Sequence, residues 1–328
     1  MRYQPINRLV CAMVSLLLSA CASTGRDATP PTESRITLLA HRALGQDYHR
    51  EALGRDTCTA ARWRDTGHTW LENTLPSMQA AFAAGADIVE FDVHPTTDGA
   101  FAVFHDWTLD CRTDGSGVTR QHSLTQLKQL DVGHGYTADG VTFPFRGKGI
   151  GMMPSLDEVL AAFPDKRFLI NIKSRDPREG ELLANRLAQL PAARRASLMA
   201  YGAAEPIDAL KQRLPDLLTL SRRSLRDCLL GYLALGWLGH VPAACERSLV
   251  LVPINAAPWL AGFPERFVAR MRAAGSEVFL VNDYGGEGFS RGIDTLKDLS
   301  RVPPGYRGGI WTDRADLLGS ALRAQGLK

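Results

Sequence analysis

Two carboxylates one residue apart, Glu90 and Asp92, lie inside an apolar, β-branched run in GADIVEFDVHPTTDGAFAVFHD, residues 85–106. Residues 87–93 read as a buried strand. Side chains alternate along a strand, so Glu90 and Asp92 leave one face while Val89, Phe91 and Val93 take the other. Two ionised carboxylates on one buried face repel each other and lose hydration. A hard divalent cation with oxygen ligands is the simplest compensation. A second apolar run, 101–104, delivers His105 and Asp106, and only a turn at Thr97, Asp98 and Gly99 separates the two runs. His105 is therefore expected beside the acid pair. A metal-ligating pair with an imidazole next to it outlines a hydrolytic site. The alternative is a solvated edge strand carrying ordinary surface acids.

A second strand end offers matching chemistry. Residues 36–40 form a short apolar strand that ends in His41-Arg42, and barrel enzymes place active groups at the carboxyl ends of buried strands. His41 can donate or accept a proton, and Arg42 can grip a phosphate bidentately. By itself the pair is weak evidence, because a lone histidine at a strand end also serves structure. A long polar loop, 43–70, is expected to cover the site mouth. Glu72-Asn73-Thr74 then precedes a helical run, 75–84, with Asn73 or Thr74 as its N-cap.

Taken together, HR at 41–42, ENT at 72–74, GAD-x-x-E-x-D at 85–92, T-x-DG ending at 97–99 and HD at 105–106 resemble the glycerophosphodiester phosphodiesterases. The likeness is strong from about Ile36 to Lys173 and looser to the end, where Ile310-Trp311-Thr312-Asp313-Arg314 resembles the family's closing strand and turn. The resemblance implies a TIM-type (β/α)8 barrel, a divalent cation such as Ca²⁺ or Mg²⁺, and hydrolysis of a glycerophosphodiester to glycerol phosphate and an alcohol. It further implies Glu90 and Asp92 as metal ligands and His41 and His105 as acid and base. Arg42 would contact phosphate, and Glu72 would support the metal and phosphate environment. A lysophospholipid substrate, and a sphingomyelinase-D-like phospholipase or lyase activity, are the neighbouring possibilities.

The strand at 168–173, FLINIK, departs from the family. An acidic residue, one apolar residue and a lysine are usual; this chain has Asn171-Ile172-Lys173. Asn171 and Lys173 share a strand face. Asn171 offers a neutral amide oxygen as the third metal ligand, and Lys173 a point charge for phosphate. Either the site is altered but active, or it has lost its metal and is a non-catalytic binding lipoprotein. Before this strand, residues 110–154 form a polar, Gly-rich insertion whose His122 and His134 read as structural. Residues 155–163 make a short helix with a Ser155–Glu158 capping box. Beyond it, strands and helices alternate as a βα barrel requires. The apolar run 225–238 is expected as a buried helix or a wall of the substrate mouth. Nine strand candidates result where a barrel takes eight. The link between 87–93 and 101–104 is too short for a crossover helix, so one candidate is not a barrel strand.

The amino terminus carries a basic start (Arg2, Arg8) and an apolar stretch, 9–18, too short to span a bilayer. Leu18-Ser19-Ala20-Cys21 follows and resembles a bacterial lipobox. It implies a signal peptide over 1–20, lipid on Cys21, a flexible Pro/Thr/Ser-rich tether over 21–35 and a barrel over 36–328. The expected location is the cell envelope, on the outer membrane facing the periplasm in a Gram-negative host. The 38 Lys and Arg nearly balance 35 Asp and Glu with no basic run, which argues against nucleic-acid binding, and no protein partner is expected. Of six cysteines, Cys11 leaves with the leader and Cys21 takes lipid. The remaining four suggest disulfides in an exported protein. Sequence neighbourhood favours Cys58–Cys111 and Cys228–Cys245 among three possible pairings.

Overall fold

Apolar runs of four to eight residues, alternating with amphipathic segments, build a ring of parallel strands wrapped by helices in this computed structural model. It describes residues 35–53, 57–286 and 291–328; the leader, Cys21 and the tether lie outside them. In chain order the strands are β1 (Thr37–Ala40), β2 (Asp47–Tyr48), β3 (Trp63–Arg64), β4 (Ile88–Pro95), β5 (Phe101–Val103), β6 (Arg167–Ile172), β7 (Leu198–Gly202), β8 (Leu218–Ser221), β9 (Leu249–Pro253), β10 (Glu277–Val281) and β11 (Gly309–Thr312). Eight of them pair in parallel in the order β8-β7-β6-β4-β1-β11-β10-β9, and a parallel bridge between Thr219 and Ser248 joins the two ends. The result is a TIM-type barrel.

The helices are α1 (Leu75–Ala84), α2 (Leu124–Leu127), α3 (Leu156–Ala162), α4 (Pro177–Ala188), α5 (Ala192–Arg195), α6 (Ala204–Arg213), α7 (Arg222–Leu235), α8 (Glu265–Ala273), α9 (Leu296–Leu299) and α10 (Ala315–Ala324). Local chemistry sets their starts. Thr74 caps α1 and Ser155 caps α3, each in a reciprocal box with the residue three positions on. The period-2 alternation of the strands divides the core in two. Leu39, Ile88, Leu169, Leu249 and Trp311 fill the barrel interior, whereas Val89, Phe91, Phe168, Leu183 and Leu318 pack between strands and helices. Each large apolar side chain buried this way contributes about 1.5–3 kcal/mol before entropic costs.

One sequence expectation is met and another is corrected. The surplus strand is β5, which pairs antiparallel with the end of β4 through Val93↔Val103 and Pro95↔Phe101. It is a hairpin arm outside the ring, so the insertion follows the second barrel strand. The apolar run 225–238 is neither buried nor part of the mouth. On α7 only Cys228 and Tyr232 are buried, and Leu230, Trp237 and Leu238 are exposed. Composition alone does not distinguish an apolar helix that is covered from one that is not. No helix among the described residues is long and apolar enough to cross a membrane.

Candidate active site

Strand register assembles the site at the carboxyl ends of β1, β4, β6, β7 and β11. The alternation of β4 turns Glu90 and Asp92 inward, both fully buried, so this is a central strand and not a solvated edge. Asp92 stands opposite Asn171 on β6, and Asn171 opposite Tyr201 on β7. The pair is then held by donors on every side. Glu90 Oε1 accepts from the Tyr201 hydroxyl at 2.7 Å and Oε2 from the Arg42 backbone N–H at 2.8 Å. Asp92 Oδ1 accepts from Asn171 Nδ2 at 2.8 Å and lies 3.3 Å from Lys173 Nζ, while Oδ2 accepts from Asn73 Nδ2 at 3.0 Å.

The backbone is bent to achieve this. Arg42, Ala43 and Asn73 all have positive φ, at 53°, 66° and 60°, a left-handed conformation costing non-glycine residues about 1–3 kcal/mol each. The turn at 42–43 aims the Arg42 N–H at Glu90. It also sends the guanidinium toward Glu72, with Nη1 at 3.2 Å from Oε1, and toward Asp92, with Nε at 3.6 Å from Oδ2. That Nε is buried without a hydrogen-bond acceptor.

Each imidazole is locked through Nδ1. His41 Nδ1 lies 2.6 Å from Asp313 Oδ1, and Asp313 Oδ2 accepts from Arg50 at 2.7 Å. His105 Nδ1 lies 2.6 Å from Asp106 Oδ1, and Asp106 Oδ2 accepts from Arg112 Nε at 2.9 Å. In both, the other ring nitrogen is left for chemistry. The surroundings differ. Burial would discharge His41, but Glu90, whose Oε2 is 3.8 Å from Nε2, and Asp313 outweigh it and push its pKa up. Burial, then Arg42 and Lys173, hold His105 well below the usual histidine range. Burial and the neighbouring Asp92 push Glu90 up to about 7. Burial opposes charge on Asp92 too, yet Lys173 and Arg42 prevail and keep it well below the carboxylate range.

The donor set fits a hard divalent cation. Two buried carboxylates face one way, and the upward push on Glu90 registers a repulsion that a cation would relieve. Among the described residues, however, no group of three Asp, Glu, His or Cys side chains is placed to hold a metal. The third position is Asn171, whose amide nitrogen points at Asp92. Coordination through its oxygen requires that amide to turn.

A cleft of about 230 Å³ opens beside His41 and Arg42, walled by Gln46, Tyr48, Arg50, Asp294 and Arg314 among others. The 43–70 loop thus forms one side of the mouth. Both disulfides are present, Cys58–Cys111 and Cys228–Cys245. The first ties that loop to the insertion next to Arg112. Arg112 is buried and contacts Asp106, Glu72 at 3.3 Å and the Tyr136 hydroxyl at 2.6 Å. His122 and His134 serve the insertion, with His122 Nδ1 bonded to the Val118 carbonyl.

Sequence reasoning therefore brought His41, Arg42, Glu72, Glu90, Asp92, His105, Asn171 and Lys173 to one mouth. It missed Arg112 and Tyr201 altogether, quoted Asp313 only as part of the closing strand and turn, and read Asn73 only as a helix cap. Asn73 lies inside a quoted motif, so a signal existed. Asp313 lies inside one too, and Arg112 and Tyr201 reach the site by tertiary contact.

The comparisons accord with this geometry. The profile of the glycerophosphoryl diester phosphodiesterase family matches residues 41–213. A glycerophosphodiester phosphodiesterase of Caldanaerobacter subterraneus is 38% identical over 102 residues, 31% of this chain and 39% of that protein. One from Bacillus subtilis is 34% identical over 113 residues, 33% and 38% of the two. The chain spans about two fifths of the length of these curated relatives. The fold is shared with a glycerophosphodiester phosphodiesterase from Agrobacterium tumefaciens (TM-score 0.56, 21% identity, covering 88% of this chain and 99% of the other). It is shared also with an Oleispira antarctica phosphodiesterase solved with the product sn-glycerol-3-phosphate (TM-score 0.54, 19% identity, 88% and 96%).

Proposed function

Because the chain belongs to the glycerophosphoryl diester phosphodiesterase family, we propose that it hydrolyses glycerophosphodiesters to glycerol phosphate and an alcohol. The observation that carries this reading is the pair of imidazoles, each clamped at Nδ1 by an aspartate and each beside the buried acid pair. Arg42 and Lys173 grip phosphate oxygens and stabilise the charge that develops in the transition state, a contribution of several kcal/mol in such sites. His105, among cations, is neutral and accepts the proton of the attacking hydroxyl. His41, between Glu90 and Asp313, is protonated and gives its proton to the leaving alkoxide. Two groups in opposite protonation states are what general acid–base catalysis needs. Glu72 holds Arg42 in place and is itself held by Arg112.

Glu90, Asp92 and the Asn171 amide oxygen would hold Ca²⁺ or Mg²⁺. Such an ion, when bound, polarises a phosphate oxygen and offsets the repulsion between the acids. The lipobox-like Leu18-Ser19-Ala20-Cys21 supports export and a lipid anchor at the cell envelope, the outer membrane facing the periplasm in a Gram-negative host. The name and bound product of the Oleispira protein support a glycerol phosphate product.

The test is turnover of glycerophosphocholine, glycerophosphoethanolamine, glycerophosphoglycerol and a lysophospholipid, with Ca²⁺, with Mg²⁺ and after chelation. Release of glycerol phosphate, lost on chelation and restored by one ion, is expected. A cyclic phosphate product would transfer the protein to the lyase reading, and no turnover under any condition would end the enzyme reading.

A further inference from the structure

Residues 228–245, CLLGYLALGWLGHVPAAC, contain no Asp, Glu, Lys or Arg, and the Cys228–Cys245 disulfide closes them into one unit. Their apolar side chains are not hidden. Leu230 is 59% exposed, Leu235 42%, Trp237 75% and Leu238 83%. A cluster of this kind is unlike the singly scattered apolar residues of an ordinary surface.

The cluster stands at a defined end of the barrel. Ser221 caps α7 at the carboxyl end of β8, and the helix runs back from there. Near its end, the Gly236 carbonyl accepts from Arg270 at 2.8 Å. Arg270 is in the last turn of α8, shortly before β10 begins at Glu277. The tip therefore lies at the amino ends of the strands, away from the catalytic mouth. Strand β1 starts at that same end.

We propose that this tip seats in the interfacial layer of a lipid bilayer and turns the catalytic mouth toward water. Two features of the chain name the occupant. A chain lipidated at Cys21, as the lipobox-like segment suggests, would be joined to β1 through fifteen residues, roughly 50 Å at full extension, which holds a bilayer within reach of the barrel. The flank of the tip is basic: the last turn of α8 carries Arg270 and Arg272 and no acid, which suits anionic headgroups. Leucines with a tryptophan at the tip of an amphipathic helix are the side chains that settle at that depth. The consequence for function is that the substrate arrives from the aqueous side. A water-soluble deacylated diester is then served better than a lipid still in the membrane. This consequence rests on the phosphodiesterase reading; the docking itself does not.

The test uses the full lipidated protein in vesicles of equal phosphatidylethanolamine and phosphatidylglycerol, with bromine on the acyl chains as a contact quencher of tryptophan. Quenching in the wild type that is largely lost in Trp237→Phe and unchanged in Trp259→Phe is expected. Trp259, 72% exposed, follows β9 at the mouth end and serves as the internal control. Leu235→Ser with Leu238→Ser should weaken quenching at least several-fold while diester turnover stays as in the wild type. Quenching that depends on Trp259 instead would mean the mouth faces the bilayer and would overturn the proposal. So would no bromine quenching together with protection of Trp237 from iodide in a concentration-dependent dimer. Loss of turnover in all proteins, with Trp237 quenching retained, would strike only the catalytic reading.

Discussion

The two histidine arms of the mouth are built alike and tuned oppositely. Each runs imidazole, aspartate, arginine: His41–Asp313–Arg50 on one side, His105–Asp106–Arg112 on the other, with the same 2.6 Å contact at Nδ1. What separates them is the next layer. His41 also faces Glu90, so negative charge surrounds it; His105 faces Arg42 and Lys173. The clamps differ as well. Arg112 is 3% exposed and fixed by Glu72 and Tyr136 as well as Asp106, whereas Arg50 is 26% exposed on the mouth loop. An aspartate dyad thus orients a histidine, but the charges beyond the dyad choose its protonation state.

Removing the imidazoles is the most severe way to break the comparison. His41→Ala and His105→Ala should each lower kcat about 10²–10⁴-fold without unfolding the protein. The substrate tells them apart. A diester with a p-nitrophenolate leaving group needs no acid, so His41→Ala should recover most of its rate on it and His105→Ala should not. Equal recovery in both would remove the assignment of acid and base.

Cutting the clamps comes next. Arg112→Gln leaves Asp106 and Glu72 buried without their cation, which should cost about 3–5 kcal/mol of stability and disturb both His105 and Arg42. Arg50→Gln, at a partly exposed pair, should cost about 0–1 kcal/mol and affect His41 alone. Urea unfolding beside kcat measures both, and similar losses at the two sites would erase the contrast.

The smallest effect is a slope. A histidine whose pKa is raised on folding binds more protons folded than unfolded, so the contribution of His41 is present below about 6.5 and lost as pH rises through its folded value. His105 has the opposite sign: its folded value is depressed, so it costs stability as pH falls below about 6.5. Relative to wild type in chelator, His41→Gln should be at its weakest on the acid side of pH 5–8, and His105→Gln relatively strongest there. Unfolding series with parallel slopes would contradict the opposed tuning.

Much of this architecture was legible in the residues. The alternation through Val89–Val93 put both acids on one face whatever the fold, because strand periodicity is a local property. The ends of the apolar runs marked His41 and His105 as strand-tip groups. Asp313 stood in the quoted closing motif, but its pairing with His41 was not legible, since the two lie 272 positions apart and meet only when β11 pairs with β1. Arg112 was hidden because it sits in an irregular insertion with no periodicity, and only the folded insertion brings it to Asp106, Glu72 and Tyr136. The exposure of Leu230 and Trp237 was misread because an apolar segment signals burial only when something covers it.

The amino-acid sequence by itself determined the elements, the buried acid pair, the two histidines with their strand tips, and the family. Only the tertiary structure decided which carboxylate holds each imidazole, which charges surround it, and which apolar helix stays uncovered. Periodicity and capping act over a few residues and can be read along the chain. Protonation and exposure depend on what lies within a few ångströms in space, and closure of the barrel sets that.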